Sequence, residues 1–71
     1  MKNFEIARLF HEMATLLEVR NESVFRVRAY QRAAQTLEAL GEDVEAVAAR
    51  GGLQKLQGVG KDLAARIDEY L

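Results

Sequence analysis

The sequence predicts an all-α fold, one small domain of four helices. Three observations predict it. Apolar residues recur at spacings of three, four and seven along most of the chain, the period of a helix with one buried face. No segment alternates apolar and polar residues with the period of two expected of a half-buried strand. There is no proline, and four of the five glycines fall between Gly51 and Gly60, so the chain before Gly41 carries no breaker of either kind.

The first helix is expected from Asn3 to about Arg20, with Ile6, Leu9, Phe10, Met13, Leu16 and Leu17 as its apolar stripe. Phe4, Phe10 and Met13 are expected in the core, and His11 at the surface. Asn3 is read as the N-cap, its side-chain oxygen taking a free amide of the first turn. Asn21 suits the stop, because asparagine tolerates the left-handed conformation. Ser23 caps the second helix, about Val24 to Leu40, which buries Val27, Tyr30, Ala33, Ala34, Leu37 and Leu40 and ends at Gly41. A third helix fits between Glu42 and Arg50, with Asp43 as cap and Val44, Val47 and Ala48 inward. Glu42, Asp43 and Glu45 suit the positive end of its dipole. After Gly51-Gly52, Leu53 to Leu56 is long enough for about one turn. Gln57 to Gly60 is a tight turn. Lys61 to Leu71 is again amphipathic, with Leu63, Ala64, Ile67 and Leu71 on one face. Asp68 and Glu69 lie near the end of this last helix, where its dipole disfavours them. With the helix barely complete at Leu71, that leads us to expect a domain of a longer protein.

Composition removes several kinds of chemistry. Without cysteine there is no disulfide, thiolate metal site or cysteine nucleophile, and a single histidine excludes a multi-histidine site. Ten Lys and Arg against eleven Asp and Glu give a net charge of −1, which excludes a uniformly basic nucleic-acid binder but not a basic patch. No apolar run approaches the ~20 residues of a membrane span. Glu5, Arg8 and Glu12 interrupt the start, so it does not read as a signal peptide, and a cytoplasmic, membrane-free setting is expected. A chain this short buries only about 60% of its unfolded surface, so its stability should be marginal.

The pattern Leu56-x-Gly58-Val59-Gly60-x-x-x-Ala64-x-x-Ile67, within residues 53–71, resembles the helix-hairpin-helix signature. Gly58 and Gly60 are expected to take positive φ in a turn too tight for a Cβ. Their bare backbone would let a phosphate approach the free amides at the start of the next helix, where the dipole favours an anion. Val59 is expected to pin the two helices together. Ala64 allows close packing, Ile67 seals the next turn, and Lys61 places a cation beside the phosphate. Such a hairpin holds DNA by its backbone and reads no sequence. Between positions 20 and 35, Arg20, Arg26, Arg28 and Arg32 face only Glu22. Arg28 and Arg32 share a helix face, and Arg26 lies to one side.

The string Phe25-Arg26-Val27-Arg28-Ala29-Tyr30-Gln31-Arg32-Ala33-Ala34, followed about two dozen residues later by the hairpin, resembles the N-terminal domain of family X DNA polymerases, the bacterial members above all. Its counterpart in DNA polymerase beta is the small lyase domain. The resemblance covers Asn3 to Leu71. It implies a compact four-helix domain over 1–71 that ends in the hairpin. It further implies gap-filling repair in the base-excision manner, in which a monomer grips gapped or nicked duplex DNA and its 5′-phosphate. By position, Arg26 and Tyr30 fall where the family contacts that phosphate, and Arg32 on another basic position of the same pocket. Gly58, Val59, Gly60 and Lys61 fall on the backbone-binding loop. The resemblance also implies a monovalent cation, K+ or Na+, held by the main-chain carbonyls of Gln54, Leu56 and Val59.

The sequence departs from that family at three positions. Arg66 stands where lyase members carry the lysine that forms a Schiff base. A guanidinium stays protonated and cannot act as that amine, so this domain alone is not expected to be catalytic, while Arg66 keeps a charge for DNA. Asp62 replaces a basic residue, and Phe25 replaces a base-stacking histidine. Two other classes of function stay open: a 5′-deoxyribose-phosphate lyase working through Lys61, and a hairpin module that binds protein.

Overall fold

The structure is a computed structural model and describes residues 1–71. It holds four α-helices and no strand: α1 (Asn3–Val19), α2 (Val24–Ala39), α3 (Val44–Ala49) and α4 (Lys61–Tyr70), with one 3-10 turn at Leu53–Lys55. None is long and apolar enough to cross a membrane. The radius of gyration, 11.5 Å, matches the ~11 Å expected of a folded chain this long.

Helices α1 and α2 form a hairpin around the expected corner. Asn21 takes φ 59°, and the amides of Asn21 and Glu22 return to the carbonyls of Glu18 and Leu17. These two bonds are the Schellman arrangement that satisfies the last carbonyls of a helix. Gly51, at φ 72°, ends α3 in the same way. Ser23 caps α2 by accepting from the Phe25 amide at 3.2 Å. The second helix stops at Ala39, with Leu40 extended, so Gly41 lies outside it.

One continuous core joins all the elements: Ile6, Phe10 and Leu17 of α1, Val27, Tyr30 and Leu37 of α2, Val44 and Val47 of α3, then Leu53, Val59, Leu63 and Ile67. Phe10 and Tyr30 meet edge to face, with centroids 5.3 Å apart at 83°. That is the favoured geometry for opposed ring quadrupoles.

The first helix is rotated from its expected face. Ala7 and Ala14 are buried, whereas Leu9 and Met13 are half-buried and Leu16 is 56% exposed. The small alanines let α2 approach closely, so the contact turns toward them. Leu9, Met13 and Leu16 instead line an open apolar groove of about 310 Å³ between α1 and α4. Phe4, expected in the core, is 64% exposed because it points away from Ile6 and Phe10. Leu71 lies past the last helical residue and is also exposed.

Asn3 does not cap its own helix. It is the first helical residue, after Lys2, and is 1% exposed. Its Oδ1 accepts from the Val44 amide at 2.9 Å, and its Nδ2 donates to the Glu42 carbonyl at 2.7 Å. Asp43 accepts from the next amide, that of Glu45, also at 2.9 Å. The start of α3 is therefore capped from two sides, once across the molecule. The third helix is shorter than expected, and Glu42 and Arg50 flank it. Arg50 donates to both Glu42 carboxylate oxygens, at 2.7 and 2.8 Å.

Candidate functional site

The turn between the 3-10 element and α4 is held from inside and from behind. Val59 is buried, and its amide donates to the Leu56 carbonyl at 3.0 Å. Thr36 of α2 donates its hydroxyl to the Gln57 carbonyl at 2.7 Å. One turn earlier on α2, the stem of Arg32 lies against Gly58. A Cβ on Gly58 would stand 2.6 Å from Arg32 Cγ and 2.7 Å from Cδ. Gly58 thus meets two demands, a φ of 78° and the close pass of a side chain.

Gly60 differs from the expectation. Its φ is −86°, which any residue adopts, and a Cβ there would meet nothing within 4 Å. The positive-φ reading holds for Gly58 and fails for Gly60, because the chain is already extended as it enters α4. Gly60 is the N-cap of α4 without a side chain to cap it. The amides of Lys61, Asp62 and Leu63 find no acceptor within the protein. Three donors and the positive end of a helix dipole therefore face open space across a glycine.

Two hollows flank this turn, and Ala29 lies between them. The first, about 320 Å³, is lined by Phe25, Arg28, Ala29, Arg32 and Gly58. It carries two guanidinium groups and no carboxylate. Phe25 is 83% exposed there and takes no part in the core. The second, about 660 Å³, brings Arg26 and Tyr30 of α2 to Arg66 of α4, over a floor of Ala29, Leu63 and Ala65. Asp62 and Glu69 also line it. Tyr30 is only 4% exposed. Its hydroxyl has no partner within the protein, yet it is not among the fully enclosed polar atoms, so it reaches solvent. Arg66 and Tyr30 also border the apolar groove.

The expected site residues are thus distributed over two seats and a turn. Arg26, Tyr30 and Arg66 stand together. Arg28 and Arg32 stand with Gly58. Val59 is interior, and Gly60 and Lys61 sit at the open start of α4. Lys61 is exposed and lines neither hollow. Gln54 belongs to the 3-10 turn, Leu56 ends it, and Val59 lies in the turn before α4. The carbonyls of Gln54 and Val59 accept no hydrogen bond, and that of Leu56 accepts one. No group of His, Asp and Glu side chains is spaced to hold a metal ion.

Thr36 and Glu69 were not anticipated at the site. The spacing of Thr36 from Arg32, one helical turn, was the available signal. Glu69 was read only against its own helix dipole.

The family model of the helix-hairpin-helix domain matches residues 1–71, the whole chain. No curated protein matches it as a relative.

Proposed function

Because the chain belongs to the helix-hairpin-helix domain family, we propose that it binds DNA through the sugar-phosphate backbone, without reading sequence. The observation that carries this reading is the uncapped start of α4. Three amides and a helix dipole open onto a glycine whose backbone needs no glycine. A residue without a side chain at such a place allows close approach of a ligand rather than an unusual φ. Arg28 and Arg32 stand next to it through the contact of Arg32 with Gly58, and no carboxylate lines the hollow they share. The acidic net charge is no obstacle, since backbone binding needs a local basic surface.

The finer reading is the N-terminal domain of a family X repair polymerase, acting at gaps and nicks. It rests on the likeness of Phe25 to Ala34 and of the hairpin to that family. In it, one strand crosses the hairpin amides and Lys61, the Arg28–Arg32 hollow takes a neighbouring phosphate, and Phe25 offers a face to an unstacked base. The downstream strand end sits at Arg26, Tyr30 and Arg66. K+ or Na+ at the carbonyls of Gln54, Leu56 and Val59 belongs to the same proposal. A lyase step through Lys61 is less well supported, because no wall of either hollow holds a sugar against its amine.

The test is fluorescence anisotropy with a one-nucleotide-gapped duplex and an intact duplex across a salt series. Binding should weaken as salt rises, and Arg28→Ala and Arg32→Ala should each reduce the log–log slope by roughly 0.7–0.9. Unchanged slopes in both variants would remove these residues from the interface. A stable dimer without DNA affinity would point instead to a protein-binding module.

A further inference from the structure

The two hollows differ in sign, and the difference bears on what the domain selects. In the hollow beside α4, Arg26 and Arg66 share their walls with Asp62 and Glu69. Asp62 lies four residues before Arg66 and Glu69 three after it, so both carboxylates flank the same guanidinium on one helix face. None of the four is engaged in a direct ion pair. The formal charges on the walls of this hollow, two positive and two negative, sum to zero. In the hollow beside Gly58, Arg28 and Arg32 share their walls with no carboxylate, although Arg28 also lines a hollow with Glu18 and Glu22.

A strand end placed between Arg26, Tyr30 and Arg66 can carry a hydroxyl or a phosphate monoester. The monoester brings up to two negative charges. Two guanidiniums attract them and two carboxylates on the same walls repel them, leaving little net gain over the hydroxyl. An internal phosphodiester on the hairpin meets amides, Arg28 and Arg32, with no carboxylate on the walls of that hollow. We propose that Asp62, assisted by Glu69, makes this domain indifferent to a 5′-phosphate: the strand end is accommodated, and the terminal phosphate is not selected. This rests on the DNA-binding reading above and reverses one consequence of the family likeness, which would make the same hollow a phosphate receptor.

The experiment compares one-nucleotide-gapped duplexes with and without the downstream 5′-phosphate, at low salt, using the full chain. The unaltered protein should bind both within about twofold, because the surrounding charges balance. Asp62→Asn should raise the preference for the phosphorylated duplex to about fivefold, the effect of removing one unit of repulsion near a surface. Glu69→Gln should move it in the same direction. Since Glu69 opposes its own helix dipole, that variant keeps the fold if Asp62→Asn weakens it. Adding Arg66→Gln to Asp62→Asn should abolish the gain, which a general change in stability would not do. A strong preference for the phosphate in the unaltered protein, or an unchanged ratio in both single variants, would overturn the proposal. Binding of neither duplex would remove the DNA reading and this inference with it.

Discussion

Asn3 and the two hairpin glycines show how much one position can carry in a domain of this size. Asn3→Ala leaves the buried Val44 amide and the Glu42 carbonyl without their partner. An unsatisfied buried group costs about 1–3 kcal/mol, a large part of the total stability of a small domain. Urea unfolding should show a lower midpoint with an unchanged slope. Asparagine near a helix start is usually its cap, and nothing local reveals that its partner lies about forty residues away. The glycines separate by role. Gly58→Ala must hold a left-handed φ, at about 1–2 kcal/mol, and must also displace the Arg32 stem. Its effect on DNA binding should therefore fail to add to that of Arg32→Ala in a double-mutant cycle. Gly60→Ala should leave the melting temperature nearly unchanged, because its backbone is ordinary and its surroundings are empty. It should weaken DNA binding all the same, by narrowing the approach to the α4 amides. Unaltered binding would mean that no ligand comes close there.

Among the α-helices, α3 is the least able to stand alone. It has six residues, well below the length at which an isolated helix persists in water. Asn3 and Asp43 cap its start, and the Glu42–Arg50 pair ties its two ends. The Arg50 guanidinium, by donating to the Glu42 carboxylate, holds that carboxyl below its usual range, and the carboxylate raises Arg50 in turn. The sign follows from the lowered value. The contribution of Glu42 is complete above the pKa of an unfolded glutamate and is lost as pH falls through the folded value. Melting curves of the unaltered protein and Glu42→Gln should differ at neutral pH and converge in strong acid. The pair is exposed, so the difference should be small and should shrink with salt. The hairpin depends on α2 in a comparable way, through Thr36 and Arg32. The glycine pattern disclosed the turn, but those two contacts lie across the fold and carry no local signature.

For the whole molecule, the stability expected of 71 residues is roughly 4–11 kcal/mol. Ile67 is fully buried where α4 meets the rest of the core. Ile67→Ala should cost about 2–5 kcal/mol and leave a substantial unfolded fraction by circular dichroism, whereas Ile67→Val, at about 0.5–1.5 kcal/mol, should keep both fold and binding. The helix count, the corners at Asn21, Gly51 and Gly58, the caps at Ser23 and Asp43, and the pin at Val59 were all readable from the residues alone. Each follows from local rules, a period of 3.6 or a backbone angle that few residues accept, and such rules act between near neighbours. The rotation of α1 toward Ala7 and Ala14, the exposure of Phe4 and Phe25, the reach of Asn3, and the division of six charged side chains into a neutral hollow and a basic hollow joined only in the folded chain. Which face of a helix is buried, and which charges share a hollow, depends on residues far apart in sequence, and only packing brings them together.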